Sequence, residues 1–151
     1  MEKDKFSGDE WEKVLYAPMW VFVSVAGADN LIDEKESKAL ASEMAKLSKH
    51  KLALVREVAT TIQKTLRKTI ADFHTYAAAR HMMSELQAVS DLLDQKLDAN
   101  SAQLFKQAML NVGKGIANAS GDSFLGFGSN VSKAERTALE MVAMGLKIPF
   151  K

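Results

Sequence analysis

Cysteine is absent from this chain, and with it go thiol catalysis, thiolate metal centres and any disulfide framework. Proline is nearly absent too: Pro18 and Pro149 are the only two, so most of the chain is free to be helical. Long apolar runs are missing. The longest, Met19 to Ala28 interrupted by Ser24, is about half of the ~20 residues that cross a bilayer, so no membrane span is expected. That run also lacks the charged flank and cleavage pattern of a secretory leader. Neither sign of charge is in excess, since 20 basic residues face 19 acidic ones. A dedicated polyanion binder is usually strongly basic, so nucleic acid is not an expected partner, and a soluble cytoplasmic protein is. At 151 residues the chain fits one domain over 1–151. Such a domain buries roughly two-thirds of its unfolded surface without help from disulfides or metals.

What is present is helical periodicity. Ser7 or Asp9 caps a first short helix that is predicted to end before Pro18. Pro18 then suits the first turn of a second helix reaching Ala28. That segment is apolar on nearly every side (Met19, Trp20, Val21, Phe22, Val23, Val25), which marks a buried central helix. A helix over about Asp33 to Ser48 carries Leu40, Met44 and Leu47 on one stripe. Apolar residues then recur in steps of three and four from Val55 to Leu97, read as two helices or one kinked helix with a break near His74-Thr75. The cluster Asp98-Ala99-Asn100-Ser101 is a turn capping a helix from about Ala102 to Ala119, and a last helix covers Lys133 to about Lys147. Gly113 and Gly115 inside the penultimate helix lower its propensity by about 1 kcal/mol each, which points to close contact between helices. No segment alternates as a strand does. The expected class is all-α, a single-domain bundle of about six to seven helices.

One short pattern occurs twice. Val23-Ser24-Val25-Ala26-Gly27-Ala28-Asp29 aligns residue for residue with Ile116-Ala117-Asn118-Ala119-Ser120-Gly121-Asp122. After an inserted glycine-, serine- and phenylalanine-rich stretch the copies align again, with Ile32 on Val131, Glu36 on Glu135, Leu40 on Leu139 and Leu47 on Leu146. Copies at about 16–48 and 105–148 suggest an internal pseudo-repeat with two acidic turns.

The segment Ala28-Asp29-Asn30-Leu31-Ile32-Asp33-Glu34-Lys35-Glu36, following an apolar helix, resembles the tellurite-resistance protein B (TerB) family. Ala119-Ser120-Gly121-Asp122 with Val131 and Glu135 looks like the family's second copy. Asn30 stands where the family usually has glycine, and asparagine also adopts the left-handed turn conformation. The resemblance implies a compact helical bundle linked to tellurite and general stress resistance, with no established enzymatic activity and with divalent metal bound through acidic residues. Under that reading Asp29, Asp33, Glu36, Asp122 and Glu135 supply oxygen ligands to calcium, magnesium or manganese, with pseudo-symmetry bringing Asp29 and Asp33 near Asp122. A structural reading stands beside it. Asp33-x-x-Glu36 and Ser132-x-x-Glu135 have the spacing of helix capping boxes, which is the favoured role of both glutamates. The loop is not an EF-hand, because it has no glycine at the sixth position and no glutamate at the twelfth.

Between Lys46 and Arg80 the basic residues Lys46, Lys49, Lys51, Arg56, Lys64, Arg67, Lys68 and Arg80 face only Glu57 and Asp72. They do not share one stripe, so a solvated surface is the favoured reading and a basic face for an acidic or protein partner the alternative. His81 and Glu85 share a helix face, as do His74 and His81, but no His-Glu-x-x-His motif supports zinc. The Gly121 to Gly128 stretch lacks the lysine and serine or threonine of a phosphate loop and reads as a loop carrying Phe124, Leu125 and Phe127. The eight methionines fall mostly at core spacing. No nucleophile, base and orienting group can be assembled, and the protein is expected not to be an enzyme. A non-enzymatic stress-response module binding a divalent cation is the first functional expectation. A metal-free adaptor working through its basic middle helices is the second.

Overall fold

The computed structural model describes residues 1–27, 32–120 and 132–150, and of Ala119 and Ser120 the backbone alone. The described residues form an all-α bundle of seven helices without a strand: α1 (Gly8–Ala26), α2 (Glu34–Leu47), α3 (Ala53–Lys64), α4 (Leu66–Ala77), α5 (Met82–Lys96), α6 (Ala99–Ser120) and α7 (Lys133–Leu146), preceded by a 3-10 turn at Glu2–Lys5.

Three of these helices start on capping boxes. Ser7 and Glu10, Asp33 and Glu36, and Ser132 and Glu135 each exchange side-chain-to-backbone hydrogen bonds, tying up N–H groups that a helix start otherwise leaves unpaired. α6 starts at Ala99, three residues earlier than the sequence suggested. Its cap is Asp98, which accepts hydrogen bonds from the Ser101 N–H (2.8 Å) and hydroxyl (2.9 Å). These bonds, the backbone one first, hold the Asp98 carboxyl below its ordinary range.

α1 is the central rod, packed by α3, α5, α6 and α7. It does not break at Pro18: one helix runs from Gly8 to Ala26 with the proline inside it. A proline in a helix interior costs about 3 kcal/mol. Every residue from Tyr16 to Val23 is buried. Each large apolar side chain so placed contributes roughly 1.5–3 kcal/mol, so packing on all sides outweighs the lost hydrogen bond. Phe73 of α4 closes the core over this rod, meeting Trp20 edge-on at 5.1 Å and Tyr16 at 5.5 Å between ring centroids.

The middle of the chain holds three helices rather than two, and the expected break at His74-Thr75 lies inside α4. The chain bends instead at Thr65, whose backbone (φ −131°, ψ 44°) leaves the helical region. Thr60, Thr61 and Thr65 all turn their hydroxyls back onto carbonyls of the preceding turn, a substitution that weakens and bends helices. A second turn, Ala78 to His81, separates α4 from α5.

The glycines of α6 mark close approaches. A Cβ at Gly113 would lie 2.8 Å from Leu139 Cδ2 of α7 and 3.2 Å from Val21 Cγ1 of α1. α7 closes on Lys147 in the left-handed conformation, with the Ile148 N–H bonded to the Ala143 carbonyl. The buried Ser90 hydroxyl of α5 donates to the Leu146 carbonyl at 2.9 Å. Met19, Met44 and Met109 fill the core as expected, whereas Met141 and Met144 of α7 are exposed.

Candidate functional site

Of the five acidic residues singled out in the sequence, Asp29 and Asp122 lie outside the described residues, as do Phe124, Leu125 and Phe127. The other three serve as caps. Asp33 Oδ1 accepts the Glu36 N–H at 2.8 Å, and Glu36 Oε1 accepts the Asp33 N–H at 3.1 Å. Glu135 Oε1 accepts the Ser132 N–H at 2.9 Å, and Ser132 Oγ accepts the Glu135 N–H at 3.1 Å. Among the described residues no three histidine or acidic side chains converge as metal ligands.

Asp33 and Glu36 nevertheless open onto a groove of about 640 Å³ that Glu135 does not line. One wall is α2, with Ala39, Ser42, Glu43 and Lys46. The opposite side is built from Phe22 and Ala26 of α1 and Gly115 and Ile116 of α6. α2 presents one face here because positions 36, 39 and 43 succeed one another at helical spacing.

Glu43 is the residue that sequence reasoning missed. Its side chain is only 9% exposed. The carboxylate rests where a side chain of residue 115 would begin, since a Cβ on Gly115 would fall 2.7 Å from Oε1 and 2.8 Å from Oε2. Oε2 accepts a hydrogen bond from Lys46 Nζ at 3.0 Å. The lysine is 66% exposed, so the pair joins a buried carboxylate to an ammonium in solvent. Taking a carboxylate out of water costs several kcal/mol, and an exposed partner returns only part of it. A signal was present: Glu43 falls on the same stripe as Leu40, Met44 and Leu47, a charge among residues that face the core.

The other titratable groups serve the scaffold. Glu85 turns to α4 and α1, accepting hydrogen bonds from the Tyr76 hydroxyl and, at 3.3 Å, from Lys13 Nζ. Burial and then that carboxylate push the Tyr76 hydroxyl well above its ordinary range, and Arg80 stacks on its ring at 3.8 Å. His74 Nε2 accepts the Ile32 N–H at 3.0 Å, fastening α4 to the entry of α2. His50 Nδ1 accepts the Leu52 N–H at 2.9 Å, and burial, then Lys51 and Arg56, lower its pKa. The basic residues of the middle helices are all exposed. Lys68 pairs with Asp72 at 2.7 Å, and Arg56 donates to the His50 and Lys51 carbonyls.

The molecule is thus an all-α helical bundle with an acidic groove beside one capped helix start. No family model matches the chain, and no curated protein or solved structure is significantly similar to it. Among the described residues no helix is long and apolar enough to cross a membrane.

Proposed function

We propose that the protein is a non-catalytic binding module of the TerB-like, stress-associated kind, and that it takes a divalent cation at the acidic junction leading into α2. One observation carries this reading. Asp33 and Glu36 each commit one carboxylate oxygen to the cap, while Asp33 Oδ2 and Glu36 Oε2 accept no hydrogen bond among the described residues. Two spare carboxylate oxygens one helical turn apart, preceded in sequence by Asp29, suit a hard cation that prefers oxygen ligands. Calcium, magnesium and manganese all belong to that class. The cation would tie the α1–α2 junction and present a surface to a protein partner in the cytoplasm.

The test is thermal unfolding of the metal-stripped protein with and without millimolar calcium, magnesium or manganese, beside Asp29→Asn. A cation at about 100 times its dissociation constant stabilises the folded state by ~2.7 kcal/mol. For a chain this long that is a rise of roughly 5–10 °C in the midpoint. A rise in the wild type that disappears in Asp29→Asn supports the reading. No rise with any of the three ions, or an equal rise in the variant, removes it.

A second reading, the metal-free adaptor, is favoured by the basic middle helices. Lys49, Lys51, Lys64 and Arg67 are exposed and enter no ion pair among the described residues. In that case capture of an acidic protein partner weakens steeply as salt rises. Capture indifferent to salt contradicts it.

A further inference from the structure

The aromatic core around α1 brings three oxidisable rings together and gives only one of them a base for its proton. Trp20 and Tyr16 lie four residues apart on the same face of α1. Phe73 of α4 bridges them, with its ring centroid 5.1 Å from Trp20 and 5.5 Å from Tyr16. Tyr76, one turn further along α4, stands 4.8 Å from Tyr16. All four rings are buried.

The proton partners differ between the two ends of this row. Trp20 Nε1 is buried and has no hydrogen-bond partner among the described residues. An indole that loses an electron there has no base to take its proton and stays a radical cation, which an apolar core disfavours. The Tyr76 hydroxyl instead donates to Glu85 Oε1, and Lys13 Nζ holds Oε2 of the same carboxylate at 3.3 Å. Burial, and after it Glu85, keep that hydroxyl protonated well above its ordinary range, so the ring sheds its proton only as it loses an electron. The Arg80 guanidinium over the ring at 3.8 Å opposes a positive charge on it, which ties the two losses together.

We propose that Trp20, Tyr16 and Tyr76 carry oxidising equivalents out of the core, with Tyr76 as the terminus and Glu85 as its base. An oxidising radical removes one electron from Trp20. An electron then passes from Tyr76 through Tyr16 to the indole, which is restored. The Tyr76 O–H bond breaks, the proton forms an O–H bond on Glu85 Oε1, and a neutral phenoxyl radical remains. A dissolved one-electron reductant such as ascorbate returns the electron, and Glu85 returns the proton. The activity is a sink for one-electron oxidants. It is independent of the cation reading, because none of these residues lines the groove beside α2.

Flash photoionisation of the full chain tests it in a Trp11→Phe background, where Trp20 is the only indole, with dissolved oxygen taking up the ejected electron as superoxide. Transient absorption separates the indole radical from the phenoxyl radical, whose visible bands differ. The phenoxyl signal should grow as the indole radical decays, at a rate independent of protein concentration and at least twofold slower in heavy water. Tyr16 and Tyr76 are the only tyrosines, so Tyr76→Phe leaves one ring that could carry the signal. In that variant the phenoxyl amplitude should fall at least fivefold and the indole radical persist at least tenfold longer. Glu85→Gln, which keeps the shape and removes the base, should slow the transfer at least tenfold. Circular dichroism checks that Glu85→Gln is folded; if it is not, Tyr76→Phe and the heavy-water rate decide. Equally fast indole decay or a retained phenoxyl signal in Tyr76→Phe overturns the proposal. So does a rate unchanged in a folded Glu85→Gln or in heavy water, or one that rises with protein concentration.

Discussion

Gly115→Ala measures how the groove floor is built. In an ordinary helix interior the change is stabilising, since alanine is favoured over glycine by about 1 kcal/mol. At residue 115 the new Cβ would meet three atoms of Glu43, at 2.7, 2.8 and 3.0 Å. Contacts under 3.0 Å are not tolerated, so the carboxylate, the far end of a flexible side chain, must swing out of its seat. Displacing one flexible side-chain end lies at the low end of overpacking costs, about 1 kcal/mol, and offsets the gain in propensity. The net expectation is a change of roughly zero in the wild-type background. With Glu43→Ala already in place the obstruction is gone, and the same substitution should stabilise by about 1 kcal/mol. The cycle therefore predicts a coupling of about 1 kcal/mol between residues far apart in sequence. Urea unfolding of the four proteins reads it, with about 0.5 M of midpoint per kcal/mol if the slope is near 2 kcal/mol/M. Equal effects of Gly115→Ala in both backgrounds would refute the claim that Glu43 occupies the space beside Gly115.

Three further outcomes follow from the same structure. Lys46→Met strands the buried Glu43 carboxylate and should cost about 1 kcal/mol, reduced from the buried-pair value because the ammonium is mostly exposed, while Glu43→Gln costs less; urea midpoints in the opposite order contradict the pairing. Ser90→Ala removes the donor to the Leu146 carbonyl inside the core and should destabilise by ~1–2 kcal/mol; an unchanged midpoint would mean that bond does not hold the end of α7. His50 has a folded pKa below its unfolded value of about 6.5, so the unfolded chain takes up the proton first. Its contribution is complete above that pH and is lost as pH falls from it through the folded pKa, so the stability difference between wild type and His50→Asn should shrink below about pH 6.5 and stay flat above it.

Local chemistry was the legible part of this fold. Ser7, Asp33 and Ser132 announce helix starts because a capping box is complete within four residues. The central position of α1 was readable from its apolar faces, and the glycines of α6 from their cost to the helix. Two of the failures arise from tertiary context, at Pro18 and at Glu43, and two from local hydrogen bonds, at Thr65 and Asp98. Pro18 reads as a boundary until the burial of its neighbours is known. The Thr65 bend comes from hydroxyl-to-carbonyl bonds that compete with helix geometry, not from a glycine or proline. The Asp98 to Ser101 cluster reads as the turn that caps the next helix, and Asp98 is that cap, but its two bonds to Ser101 start α6 at Ala99 rather than Ala102. The Glu43–Gly115 contact joins α2 to α6, and no pattern within either helix states which glycine faces which acid. Asp33 and Glu36 were found as candidates and open onto the groove, yet its buried carboxylate was not among them.

The most direct measurement is an amide chemical-shift map of the isotopically labelled protein titrated with calcium. If the acidic junction leading into α2 is the binding site, the calcium shifts gather on residues 32–37 and saturate as a single site. Shifts scattered over exposed acidic side chains, or concentrated on α3 and α4, would contradict the account.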